Sequence, residues 1–167
     1  WFDGWWDHDS DSTAFDWELP YQYELVHRLQ PSCLIGNNHH QTPFEGEDIQ
    51  IFERDVPGEN KAGLSGQAIS RLPLETCQTM NGMWGYKVAD QNYKSATELI
   101  RLLVQTSGKG ANLLLNIGPQ PDGTLPETAL SRLSEIGQWL SSNGDAIYGT
   151  TSGGYTDPEK IVTTRKG

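Results

Sequence analysis

At 167 residues the chain is long enough for one domain with a sizeable core. Its 22 acidic side chains outnumber 12 basic ones, for a net charge of −10 and a pI near 4.7. That balance argues against a nucleic-acid partner, which requires a basic face. No apolar run approaches membrane-spanning length, and two cysteines, Cys33 and Cys77, are too few for a disulfide framework.

The chain opens on Trp1-Phe2-Asp3-Gly4-Trp5-Trp6. A strand ending in this way delivers the Asp3 carboxylate to a sheet edge, where Gly4 suits the turn. Aromatic rings favour the apolar face of a sugar, and the carboxylate can attack an anomeric carbon. The same residues also read as a tryptophan-rich core edge with a solvated aspartate. The opening residues do not read as a signal peptide. The chain opens inside a strand-to-loop motif with no earlier element in these residues to pair with it, and Ile161-Val162-Thr163-Thr164 reads as a strand about to continue. A fragment of a larger protein is therefore expected, one that does not fold stably alone. Asp7 to Ser12 reads as a solvated loop, because it lacks the glycine and closing glutamate of an EF-hand.

Asp16 is expected to cap a helix with Pro20 in its first turn and Tyr21, Leu25, Val26 and Leu29 on its apolar face. Pro31 stops it. Ser32 to Gly36 reads as a buried strand ending in Asn37-Asn38-His39-His40. Gln41 to Gly66 reads as a long functional loop rich in carboxylates. Leu72 to Cys77 is the next strand, with Glu75 near its exit. Both cysteines lie in strand-like runs and read as buried free thiols. Asn81 to Tyr86 is an aromatic loop.

Ser95 and Glu98 form a capping box for a helix buried through Leu99, Leu102 and Leu103. Ala111 to Ile117 reads as a strand covered on both faces. Pro126 opens the last helix, with Leu130, Leu133, Ile136 and Leu140 along one face and Trp139 beside it. Asn143-Gly144 is expected to close it in the left-handed manner, followed by a short strand at Ile147 to Gly149.

Helix and strand thus alternate, and the unusual polar residues follow strand ends. That is the rule for (β/α)8 barrels, for which this chain holds about half of the usual ~250 residues. The expected fold class is α/β, roughly the C-terminal half of such a TIM barrel. A doubly wound open sheet is the competitor, but no G-x-G-x-x-G or phosphate loop occurs.

Six motifs in order carry a resemblance. They are Trp1-Phe2-Asp3-Gly4, Pro73-Leu74-Glu75-Thr76-Cys77, Trp84-Gly85-Tyr86, Gly110 to Pro119 (GANLLLNIGP), Asp122-Gly123-Thr124 and Gly144 to Gly149 (GDAIYG). Together they resemble the α-L-fucosidases of glycoside hydrolase family 29. The resemblance covers residues 1–150, leaving 151–167 as a linker or the start of a following β-domain.

It implies a retaining exo-glycosidase acting on terminal α-L-fucose of oligosaccharides or glycoconjugates. It also implies a missing N-terminal half of the barrel, no cofactor or metal, and a secreted, periplasmic or lysosomal-type location. Asp3 matches the family's nucleophile. The acid/base is expected in the variable loop from Thr42, with Glu47 ahead of Glu75, then Glu45 and Asp48. Glu75 matches the glutamate of a W-E-x-C motif, with Leu74 in place of tryptophan. Many members have Asn-Asp-Arg where this chain has Asn37-Asn38-His39-His40. His39 or His40 is expected to take over the arginine's contacts or to stand behind the sugar. Trp1 and Trp84 complete the expected substrate contacts. Two alternatives stand: a carbohydrate-binding half-barrel without turnover, and a retaining glycosidase for another sugar.

Overall fold

The computed structural model describes residues 1–3, 15–157 and 161–167. The aspartate-rich segment at 7–12 lies outside them, as do Gly4, Trp5 and Trp6. The chain divides into two units, Trp1–Glu75 and Thr76–Gly167, and β3 (Leu74–Thr79) runs across the division. Among the described residues no helix is long and apolar enough to cross a membrane.

The first unit holds α1 (Leu19–Leu29), β1 (Gly36–Asn37) and β2 (Ile49–Glu53). β1 and β2 are parallel, with Gly36 opposite Ile49 and Asn37 opposite Gln50. Phe2 bridges Asn37 in parallel on the other side of β1. Its N–H donates to Gly36 O at 2.9 Å, and its carbonyl accepts from Asn38 N at 3.0 Å. On the far edge of β2, Gln50 N donates to Pro73 O at 2.9 Å, just ahead of β3. The core is Tyr23, Ile35, Ile51, Phe52 and Val56, all close to fully buried.

Several expectations change here. Asp16 does not cap α1. Its carboxylate accepts from Glu18 N, and Glu18 itself has φ 48°. The helix also buries Tyr23, while Tyr21 and Leu29 are exposed. Tyr23 packs edge-on against Phe2, with ring centroids 5.1 Å apart, and Gly46 (φ 95°) sits against its ring. A Cβ on Gly46 would come within 3.1 Å of that ring. The strand begins at Gly36 and not at Ser32, because Cys33 N turns back to Gln30 O. Cys33 is therefore exposed, whereas Cys77 is buried as expected. The supposed loop from Gln41 to Gly66 contains β2, whose Ile51 and Phe52 supply core.

In the second unit β3 neighbours β4 (Ala111–Asn116), with α2 (Ala96–Gly108) between them in sequence. The Ser95 capping box is present in full. Met80, Leu99 and Ala129 form the core, joined by Tyr93, Leu115, Ile117 and Ile136. Gly118 must be glycine, since a Cβ there would lie 2.5 Å from Tyr86 N.

α3 (Glu127–Asn143) buries Ala129 and leaves Leu130 and Leu133 exposed. Its inward stripe therefore runs through Ala129 and Ile136. β4 is not covered on both faces in this chain, for Asn112 and Leu114 are exposed. Gly144 is right-handed (φ −58°) and continues into a 3-10 turn, Gly144–Ala146. Residues 147–149 form a turn and not a strand, with Gly149 at φ 66°. β5 (Thr151–Asp157) and β6 (Ile161–Arg165) make an antiparallel hairpin that packs on α2.

Candidate active site

Neighbouring side chains along a strand point to opposite faces. Residues 37 to 40, at and just past the end of β1, divide their partners by parity between two polar networks.

The odd residues serve one network. Asn37 donates its amide to the Tyr23 hydroxyl at 2.7 Å, and Tyr23 donates to Glu47 Oε1 at 2.9 Å. His39 Nε2 meets the same carboxylate at 2.9 and 3.1 Å. Gln41 N donates to His39 Nδ1 at 3.0 Å, so Nδ1 is the acceptor and Nε2 carries the hydrogen given to Glu47. The His39 ring stacks on Phe44 at 4.2 Å. His39 and Glu47 side chains are 2% and 1% exposed, a pair held inside the unit. Burial pushes the Tyr23 phenol up, as does the Glu47 carboxylate, against the opposing donor from Asn37.

The even residues serve the other network. Asn38 Nδ2 donates to Glu53 Oε2 at 2.8 Å and to Asp3 Oδ1 at 3.3 Å. Both distances end on one nitrogen, so their sum, 3.3 plus 2.8 or 6.1 Å, is the most that can separate the two oxygens. His40 Nε2 lies 3.0 Å from Glu53 Oε2, with His40 at φ 58°. Arg54, also left-handed at φ 65°, brings its Nε to 3.9 Å from Glu53 Oε1. Left-handed backbone at two non-glycine residues beside one carboxylate is the kind of strain that clusters at functional sites. Asp3 is exposed, while Glu53 is buried at the end of β2.

The structure therefore brings Asp3, Asn38, His40 and Glu53 together. Glu53 is the residue that sequence reasoning passed over. A signal was available, because Ile49-Gln50-Ile51-Phe52-Glu53 is a short β-branched and aromatic run with a carboxylate at its end.

The other candidates fall elsewhere. Asp48 ties α1 to the start of β1, accepting from Ile35 N at 2.8 Å and meeting His27 Nε2 at 2.9 Å. Glu45 lines a cavity of about 680 Å³ with Phe15, Trp17, Tyr23 and Phe44. That lining contains none of Asp3, Asn38 and Glu53. Glu75 is the second residue of β3 and not near its exit, because the strand continues to Thr79. Burial pushes the Glu75 carboxyl up. Trp1 is 54% exposed. Trp84 lies in the second unit, half-buried, its carbonyl accepting from the Asn116 amide at 2.6 Å.

A pair of carboxyl groups close to one another is the arrangement on which most glycoside hydrolases rely. The profile of the Alpha-L-fucosidase family matches residues 1–145, and the chain belongs to that family. It is similar to the plasma alpha-L-fucosidase of Homo sapiens, 43% identical over 161 residues, covering 79% of this chain and 34% of that protein. An alpha-L-fucosidase of Dictyostelium discoideum is 46% identical over 79 residues, covering 46% of this chain and 17% of that protein. Among solved structures, alpha-L-fucosidase isoenzyme 1 from Paenibacillus thiaminolyticus superposes with a TM-score of 0.77 at 32% identity. That match covers 99% of this chain and 39% of that one. A Thermotoga maritima alpha-fucosidase in complex with fucose gives 0.62 at 29% identity, covering 81% of this chain and 28% of that one. The chain thus spans about a third or less of the length of the curated relatives it matches.

Proposed function

We propose that this chain carries the carboxylate pair of an enzyme that releases terminal α-L-fucose from glycans by double displacement. Its parallel strands are read as part of a (β/α)8 barrel. Asp3 is the nucleophile. An Asp3 oxygen bonds to C1 as the C1–O bond to the aglycone breaks, and the departing oxygen takes a proton from Glu53. Water then attacks C1, gives its proton to Glu53 and releases Asp3, so the configuration is retained.

The observation that carries this reading is the shared amide of Asn38. It holds the facing oxygens of Asp3 and Glu53 within 6.1 Å, the sum of 3.3 and 2.8 Å. That bound applies to the two facing oxygens, whereas the separation that distinguishes retaining enzymes (about 5–5.5 Å) from inverting ones (about 6.5–9.5 Å) is between whole carboxyl groups. Glu47 stands against Glu53 for the acid/base role. Its carboxylate is already engaged by Tyr23 and His39 in the odd-numbered network, which favours a structural part for it.

The test uses the full-length protein. Asp3→Ala is expected to lose turnover of aryl α-L-fucosides, with azide restoring some as the β-fucosyl azide. Glu53→Ala is expected to slow sugar aglycones by about 10²–10⁴-fold while sparing the first step on an activated aryl fucoside. Near wild-type activity in Asp3→Ala would sink the nucleophile assignment. The leaving-group signature in Glu47→Ala or Glu75→Ala, and not in Glu53→Ala, would move the acid/base role to that residue.

A further inference from the structure

We propose that Asn38 is a positioning residue for the reaction, setting the spacing of Asp3 and Glu53 through the two hydrogens of one neutral amide. The inference rests on the reading that these two carboxylates are the working pair.

An asparagine amide has two N–H donors, and here one faces each carboxylate. That fixes the orientation of the group, because the reversed amide would point its oxygen at two carboxylates. Asn38 is 4% exposed, and its backbone N–H donates to Phe2 O at 3.0 Å. The amide is thereby anchored to the segment that carries Asp3. Asn38 Oδ1 has no hydrogen-bond partner among the described residues and is closed to solvent. Leaving a buried acceptor unmatched costs stability. The donor side of the amide therefore dictates the placement.

The bridge is also neutral: the amide supplies two donors and adds no charge between the carboxylates. Among the described residues, the charged or titratable groups bonded toward the pair are His40 and Arg54, both directed at Glu53.

The experiment compares Asn38→Ala and Asn38→Ser in the full-length protein, with Asp3→Ala and Glu53→Ala assayed alongside. For Asn38→Ala, kcat/KM on an aryl fucoside is expected to fall by about 10²-fold, the scale of a 1 Å misplacement. KM should change little. Removing an N–H donor weakens the ionised form of a carboxylate, so both limbs of the pH profile should move to higher pH. Serine has one O–H donor and can serve only one carboxylate, so Asn38→Ser should restore one limb. An unmoved profile overturns the proposal, even with lower activity or a lower Tm, because a structural role alone would do that. If Asn38→Ala does not fold, the profile of Asn38→Ser decides: two unmoved limbs overturn the proposal. If Asp3→Ala and Glu53→Ala behave as expected while the Asn38 variants keep the wild-type profile, only this inference fails. Near wild-type activity in Asp3→Ala and Glu53→Ala would instead remove the reading beneath it.

Discussion

Tyr23 does the work that a charged residue would do badly. Its hydroxyl accepts from Asn37 and donates to Glu47, so one oxygen links α1 to the end of β1 and to the loop before β2. Because burial, and after it the Glu47 carboxylate, push the phenol up, it remains a neutral donor through the working pH range. Tyr23→Phe leaves Glu47 one donor short and the Asn37 amide without that acceptor. The expected cost is about 1–3 kcal/mol, read as a lower urea midpoint with an unchanged slope. An unchanged midpoint would mean that solvent replaces both bonds. This residue was not legible in advance. Periodicity favoured Tyr21, Leu25 and Leu29, which share a stripe with the right spacing. Tyr23 is buried by a Phe2 ring and a Gly46 backbone far from it in sequence, and no local pattern reports such contacts. Asp3 stood out as a candidate because its aromatic frame and following glycine are contiguous. Glu53 ended a strand-like run, but its partnership with Asn38 was not legible, since β1 and β2 meet only in the fold.

Local signals succeeded for elements whose determinants are local. The Ser95–Glu98 capping box was readable from four residues, and both of its bonds are present, Ser95 N to Glu98 Oε2 at 2.8 Å and Glu98 N to Ser95 Oγ at 3.2 Å. Ser95→Ala is expected to destabilise α2 by about 1 kcal/mol, measurable as a lower Tm. Elements set by tertiary contact were misread. β2 is five residues long and sits among carboxylates, so it passed for loop. α3 turns Ala129 inward because a small residue lets the helix approach Leu99 and Met80, and the bulkier Leu130 and Leu133 stay outside. The turn after α3 kept Gly144 right-handed, where a left-handed glycine stop was the simpler expectation.

At the scale of the whole chain, a net charge of −10 opposes compaction. Raising NaCl from about 0.01 to 0.15 M shortens the screening length from about 30 to 8 Å. If residues 1–167 expressed by themselves melt cooperatively, against the expectation for a fragment, their Tm should rise over that range. A falling Tm would mean that exposed pairs such as Arg132–Glu135 and Lys166–Asp145 outweigh the repulsion, although such pairs are individually weak. The alternation along residues 37 to 40 constrains how this chain can change over generations. Substitutions there act one network at a time, but a single inserted or deleted codon would reverse parity and present Asn37 and His39 to the Asp3 side. Length in this stretch should accordingly be far less free to drift than composition, with tolerated insertions arriving in pairs or beyond His40.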